Sequence, residues 1–494
     1  MRTPRVALAA LLAVSVVAAA CGGGGDDGDD ASTPTTAAGT TVAGETTLAP
    51  TTTAQEVGDC PIDALDSASG TVEVTFWHAM NTDNEVALQA LVGKYNASQT
   101  KVKVNLVNQQ GYTENFEKYR TASAADRPEI IQLPEYDLQV MTDSGTTVPV
   151  QACVNAESYD LSDFVERTTS YYTIQGALQA MPFNTSNPLL YFNKSMFTKA
   201  GLDATQPPTN LTELADVSRT IVDSGAAKYG IALDTGFDSG GGWFIEQFFG
   251  IGDELYADNG NGRQTRATSV LFDSEFAVQN YEALQAMVQE GTAFNVGENA
   301  SGQAQLFKMA DPTEPAAMAI YSSAGLGPVL NLLRGGGVAN FTDDDLGIGT
   351  FPGPEGDGGV VVGGAALYIV TGKPAEKTAA AWDFIKFAVE PQSQSEWAAA
   401  TGYVPVRKSS ADLDPIKSLY ATDPRFKVAL DQLLTGAETL ATAGPVLGPL
   451  RQVRQSTAKA LQTTLDGGDA ATALAAAAEE SDALIADYNK RVGG

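Results

Sequence analysis

The chain is poor in the residues that carry most enzyme and metal chemistry. It has one histidine, His78, and three cysteines in 494 residues. A single histidine cannot build a His-based metal site, and no cysteine lies near it in sequence. A Ser-His-Asp triad would have only this residue to use. There is no G-x-S-x-G elbow and no G-x-x-x-x-G-K-[ST] loop. His78 therefore reads as a structural or rim residue at a strand end. Paired carboxylates carry no signal, because 60 acids make chance neighbours common. Basic residues are scarce: 30 stand against those 60 acids, a formal net charge of −30. Nucleic acid and anionic lipid both need basic surface, so neither is expected as a partner. An anionic small molecule would meet long-range repulsion and would need a local cluster of donors with at least one well-placed Arg. No repeat with a period of 20 to 50 residues is visible. Beyond the first twenty residues no stretch is apolar for long enough to span a bilayer. No metal or cofactor is expected.

What is present begins with an export signal. Arg2 and Arg5 form a positive start, and Val6 to Ala20 is an apolar run ending in small residues, too short for a membrane span. Cys21 follows directly. This junction resembles the lipobox of bacterial lipoproteins, with Ala18 where a Leu is usual. The resemblance implies a signal over 1–20 and lipid on Cys21. Gly22 to Gly58 is mostly Gly, Asp, Thr, Ala and Pro, without an aromatic residue, Lys or Arg. Such a composition buries too little apolar surface to fold, so 21–58 reads as a disordered tether. It would hold a globular body off the outer face of the cell membrane. Cys60 and Cys153 remain, outside the reducing cytoplasm, where a disulfide between them can persist.

Residues 59–494 are too many for one compact core and suggest two lobes. Val72, Val74 and Phe76 alternate with polar residues, giving a strand. Val86, Leu88, Leu91, Val92 and Tyr95 recur at helical spacing. Lys101 to Val107 alternates again, "ENFEKYRTASAA" is helical, and "EIIQLP" is a third strand. The order strand, helix, strand continues, so the class is α/β with a largely parallel sheet. Leu189 to Asn193 reads as a strand. Lys194 to Ala200 reads as a short helix closed by Gly201. Asn210 or Thr212 caps a helix near Leu211 to Ser224. Loops rich in Ser, Asn, Gly and Tyr recur at strand ends, where ligands of α/β sheets bind. In Tyr321-Ser322-Ser323-Ala324-Gly325 the loop enters a helix, suited either to an anion or to simple capping. Four small polar residues, Asn184 to Asn187, stand unexpectedly before the apolar run Pro188 to Phe192.

"FWHAM", "PFNTSNPLLYFNKSMFTKAGLDATQPP", "SSAGL", "GGAALYIV" and "TGYVPVRK" occur in this order. Over about residues 70–470 the chain resembles the extracellular solute-binding proteins of ABC importers, of the maltose-binding-like class, and within it the sn-glycerol-3-phosphate-binding members. The resemblance implies a type II periplasmic-binding-protein fold of two α/β lobes that close by hinge motion. Lobe 1 would hold 59–186 and 364–402, and lobe 2 would hold 187–363 and 403–494. Asn184 to Asn187 would cross between the lobes and offer donors to ligand. The family's ligand residues fall on Tyr112, Glu135, Ser186, Ser323 or its neighbour Ser322, Gly364, Tyr403 and Arg454, with Trp243 under the ligand carbons. A second tryptophan of the family is missing, and Phe237 or a glycine stands in its region, leaving room for a larger head group. One Arg, hydroxyls and backbone N–H groups together suit a phosphate. On this reading Arg454→Ala abolishes phosphate binding and leaves folding intact. The implied function is a monomeric, lipid-anchored, non-catalytic receptor. It would capture sn-glycerol-3-phosphate or a glycerophosphodiester such as glycerophosphocholine and deliver it to a membrane permease. A sugar or oligosaccharide is the alternative ligand, and a surface glycosidase or lectin the alternative of another class.

Overall fold

The computed structural model describes residues 57–238, 240–298 and 302–493; the export signal, Cys21 and almost all of the tether lie outside the described residues. In chain order the strands are β1 (Val72–His78), β2 (Val102–Asn108), β3 (Ile130–Pro134), β4 (Thr147–Val148), β5 (Thr173–Ile174), β6 (Ala177–Leu178), β7 (Met181–Ser186), β8 (Pro188–Asn193), β9 (Tyr229–Asp234), β10 (Ala293–Gly297), β11 (Ala316–Ser322), β12 (Leu346–Thr350) and β13 (Gly363–Val370). They form two main sheets. The first runs β2-β1-β3-β13-β4, with β7 also paired to β13; the second runs β10-β9-β11-β8-β12. Each sheet is the centre of one lobe.

The local rules read from the sequence hold at several boundaries. The Asn193 side chain accepts from the Met196 N–H and starts the helix Lys194–Lys199. Gly201, at φ +76°, lies just beyond that helix's end, a left-handed position that suits glycine. Asn210, not Thr212, caps the helix Leu211–Asp223 by accepting from the Glu213 N–H. β1 alternates at its start and is buried towards its end, whereas β3, β7 and β8 are buried at every position. Strands covered on both faces read as continuous apolar runs, which explains "PLLYF".

The expected largely parallel sheet is mixed. β1 is parallel to β2 and β3, and β9 is parallel to β10 and β11. β13 is antiparallel to β3, β4 and β7, and β8 is antiparallel to β11 and β12. The reason is connectivity. Parallel neighbours come from right-handed strand-helix-strand crossovers. β8 and β13 enter their sheets from the other lobe and run against them. In the first sheet the crossovers β1 to β2 and β2 to β3 travel in opposite senses, so helices Thr82–Ser98 and Tyr112–Thr121 cover opposite faces.

Three strands of chain pass between the lobes. β7 becomes β8 through Asn187 alone. The second passage leads from β12 to β13. The third begins at Val404, whose N–H donates to the Thr185 carbonyl at 2.8 Å. The chain then stays against lobe 1, with the Lys408 N–H donating to the Asp163 carbonyl. It reaches the second sheet only near the helix Val428–Thr435, later than the expected start of lobe 2 at 403. A disulfide between Cys60 and Cys153, 93 residues apart, ties the start of the described chain to the helix Val150–Glu157 in lobe 1. Closing a loop of that length removes conformational freedom from the unfolded chain, an effect of about 4–5 kcal/mol in the loop-entropy account.

Candidate functional site

The lobes face each other across a cleft of about 1030 Å³. It lies beyond the carboxyl ends of strands in both sheets. β1 contributes Ala79 to Asn84, β2 contributes Gln110 to Glu114, and β3 contributes Pro134 and Glu135. From the second sheet β9 contributes Gly236 to Asp238, and β11 contributes Tyr321 and Ser322. β1 sits between β2 and β3 where the direction of winding reverses, the place where an open sheet leaves a crevice.

Of the residues singled out in the sequence, Tyr112, Glu135, Ser186, Trp243, Gly364 and Tyr403 line this cleft. Tyr112 opens the helix Tyr112–Thr121, and its hydroxyl accepts from Asn184 Nδ2 at 3.0 Å. Ser186 ends β7. Tyr403 stacks on Trp397, with centroids 5.6 Å apart and rings 13° from parallel, and burial pushes its phenol up to about 12. Gly364 adopts φ +98°, and a Cβ there would stand 2.0 Å from the Asn184 carbonyl oxygen. No other residue allows β13 to approach β7 so closely. At Gly363 a Cβ would stand 3.0 Å from Trp243 Cζ2, so the glycine leaves space for the indole.

Two positions differ from expectation. Ser323 is fully buried and does not line the cleft. Its N–H donates to the Asn187 carbonyl at 2.9 Å, and its Oγ accepts from the Asn187 N–H at 3.4 Å. The neighbouring Ser322 faces the cleft instead. Arg454, on the helix Leu450–Leu465, is 1 % exposed and also absent from the cleft surface. Glu246 grips it at two points, Nε to Oε1 and Nη2 to Oε2 at 2.7 Å, and Nη2 also donates to Glu135 Oε1 at 2.8 Å. Tyr136 covers the guanidinium at 4.7 Å. One turn away Arg451 donates to both oxygens of Asp137 and to Thr113 Oγ1. Glu135 and Asp137 belong to lobe 1, and both arginines come from lobe 2. Two ion pairs thus bridge the lobes behind the cleft.

The polar run that precedes "PLLYF" has a structural task. Asn184 accepts from Gln132 Nε2 at 2.8 Å while donating to Tyr112. Asn187 donates to the Ala429 carbonyl at 2.8 Å and accepts from Gln432 Nε2 at 3.2 Å. The Thr185 carbonyl holds the third passage. Asn184, Thr185 and Asn187 are essentially unexposed, and only Ser186 lines the cleft. The run was expected to supply ligand donors; most of it ties the crossing strands together.

Charge at the cleft surface has one sign. Asp83, Glu114, Glu135, Asp238 and Glu298 line it, and among the described residues no Lys, Arg or His does. Burial pushes the Glu135 carboxyl up to about 7, with Arg454 opposing. Burial likewise pushes Asp137 up to about 6, with Arg451 opposing. Among the described residues no group of three or more His, Cys, Asp or Glu is arranged to hold a metal ion. Glu246, Asp137 and Arg451 were not picked out from the sequence. The available signal was the three-residue spacing of Arg451 and Arg454, which places both on one helical face.

The pairing revises what Arg454→Ala should do. Two buried carboxylates would face each other without a cation, a loss of roughly 3–5 kcal/mol. Chemical denaturation should show that drop in unfolding free energy; an unchanged midpoint would refute the buried triad. A second expectation concerns pH. The Glu135 carboxyl titrates near 7 when folded and near 4.5 ordinarily. Between these values the folded chain holds a proton that the unfolded chain has lost, so stability falls as pH rises through the window. Glu135→Gln should therefore raise Tm at pH 8 and leave it little changed at pH 4, a differential on the order of 3 kcal/mol. Thermal melts at the two pH values decide it, and an equal or lowered Tm at pH 8 counts against it.

Comparison with known proteins agrees with this architecture. Residues 90–427 match the family described as bacterial extracellular solute-binding protein. The sn-glycerol-3-phosphate-binding periplasmic protein UgpB of Pectobacterium atrosepticum is 27% identical over 461 residues, covering 90% of this chain and 98% of that protein. Among solved structures, UgpB from Mycobacterium tuberculosis in complex with glycerophosphocholine superposes with a TM-score of 0.68 at 21% identity, covering 85% of this chain and 100% of that one. The cyclic alpha-maltosyl-1,6-maltose binding protein from Arthrobacter globiformis superposes with a TM-score of 0.66 at 25% identity, covering 84% and 99%. The chain belongs to the bacterial extracellular solute-binding proteins, the solute-capturing components of ABC importers.

Proposed function

We propose that this chain captures a zwitterionic glycerophosphodiester of the glycerophosphocholine type and hands it to a membrane permease. The observation that carries this reading is the charge of the cleft. Among the described residues five carboxylates and no cationic side chain stand at its surface, and Arg454 is held just behind Glu135. A dianion such as glycerol-3-phosphate would meet net repulsion there. A zwitterion brings its own cation, which suits Asp238 and the rings of Phe237 and Trp243. Its phosphate would exchange with Glu135 for Arg454. Its glycerol hydroxyls would reach Tyr112, Ser186, Tyr403 and the freed Glu135 carboxyl. The family relatives named for sn-glycerol-3-phosphate and the structure solved with glycerophosphocholine support the same ligand class.

A second reading, a sugar or oligosaccharide, draws on the same lack of a surface cation among the described residues and on the aromatic rings at the wall. The Arthrobacter relative named for a cyclic maltosyl sugar belongs with it. Calorimetry with glycerophosphocholine, glycerol-3-phosphate, maltose and trehalose separates the readings. Glycerophosphocholine should bind at least about tenfold more tightly than glycerol-3-phosphate, equivalent to roughly 1.4 kcal/mol. Binding of a sugar alone would overturn the phosphodiester reading.

The same proposal places the protein outside the cytoplasmic membrane as a monomer, attached by lipid on Cys21 through the tether. Cys21→Ser should then shift the chain from the membrane fraction to the medium or periplasm. Retention in the membrane fraction would rule out the anchor.

A further inference from the structure

The cleft has a second kind of wall that the head group does not use. Helix Ala304–Met309 contributes Leu306 and Phe307, helix Leu326–Arg334 contributes Val329 and Leu332, and the segment beyond it contributes Val338 and Phe341. None of these side chains can donate or accept a hydrogen bond. Phe307 is 58% exposed and Leu332 45% exposed, although both line the same cavity as Glu135 and Tyr403. This wall is partly open to solvent and stands beside a contact between the lobes. Asn331, on the helix that carries Val329 and Leu332, donates to Asp83 of lobe 1 at 3.0 Å. Asn84 donates to the Ala324 carbonyl at 3.3 Å. The lobes therefore meet beside the apolar wall, and Ala79 and Met80 of lobe 1 line the cavity with it.

A sugar extending along such a wall would lose hydrogen bonds to water without replacing them. A permease or a second copy of the chain would not enter a cavity between the lobes. A hydrocarbon chain joined to the bound solute fits: it needs apolar surface that continues from the polar floor, and these residues line one cavity with Glu135 and Tyr403. The volume of about 1030 Å³ is at the upper end of small-molecule sites. It is generous for a deacylated glycerophosphodiester. We infer that the Leu306–Phe341 wall is an acyl-chain annex, and that the solute class extends to glycerophosphodiesters that keep one short hydrocarbon chain, the lysophospholipids. This inference rests on the glycerophosphodiester reading of the polar floor.

Calorimetry on the full chain carrying Cys21→Ser tests it. The probes are glycerophosphocholine and hexanoyl lysophosphatidylcholine, the latter below its critical micelle concentration. Each buried methylene strengthens binding about fourfold, so the acyl compound should bind at least about tenfold more tightly even if only part of its chain is buried. Phe307→Asp combined with Leu332→Asp should shrink that ratio towards one. Equal or weaker binding of the acyl compound, with glycerophosphocholine still bound, would overturn the annex and leave the head-group reading standing. A ratio unmoved by the two substitutions would overturn its placement on this wall. Failure of both compounds to bind would overturn the annex and the glycerophosphodiester reading together.

Discussion

Burying an arginine costs several kcal/mol unless its charge and donors are met, and Arg454 is met from both lobes at once. Glu246, on the helix Gly241–Gly252, holds it at two points, and Glu135, at the end of β3, holds it at a third. Gly242 lets the two lobe 2 helices approach, since a Cβ there would stand 2.6 Å from the Arg454 carbonyl oxygen. The triad decides much else. It sets how the lobes sit behind the cleft, together with the Arg451–Asp137 pair. It withdraws the nearest cation from the cleft surface and leaves a carboxylate there. It also leaves Glu135 strained electrostatically, since burial outweighs the help it receives from Arg454. A ligand anion that took over Arg454 would relieve that strain and free Glu135 to accept hydroxyls. Binding and the meeting of the lobes would then share one set of charges.

The crossing strands supply the complementary constraint. A hinge must be polar enough to hold three passing backbones in register, yet buried between two cores. Asn184 and Asn187 meet both demands because an amide side chain donates and accepts at once. Each is bound on both sides, Asn184 to Gln132 and Tyr112, Asn187 to the Ala429 carbonyl and Gln432. Ser323 adds a backbone clamp on Asn187. These bonds connect the cleft floor to the passages between lobes. Tyr112, which lines the cleft, reaches the hinge through its hydroxyl, which accepts from Asn184 and also bonds the Tyr403 hydroxyl.

Much of the fold was legible because its causes are local. Alternation in β1 and β2, helical spacing in Thr82–Ser98, the caps at Asn193 and Asn210 and the terminator Gly201 each depend on a few neighbouring residues. The motif order carried the two-lobe architecture, and the stretch "GGAALYIV" became the strand that joins the first sheet from the other lobe. Most of the cleft positions were supplied by the family resemblance, motif by motif, and the structure puts those motifs together at the lobe boundary. Tyr112, Glu135, Ser186, Gly364 and Tyr403 lie at strand ends or crossings, and strand ends are where an α/β sheet leaves its crevice.

The sequence by itself determined the α/β class, the acidic charge, the positions of the elements, the Cys60–Cys153 pair as available thiols and the loops that reach the cleft. Tertiary structure alone decided what those residues touch. An arginine near the end of the chain looks the same in sequence whether it awaits a phosphate or lies under Tyr136 between two glutamates. Glu135, Glu246 and Arg454 are far apart along the chain, and only packing brings them together. The same holds for Ser322 and Ser323, where one residue of register separates a cleft wall from a buried clamp. Hydrogen-bond partners and burial are relations between distant segments, and a linear pattern of residue types does not contain them.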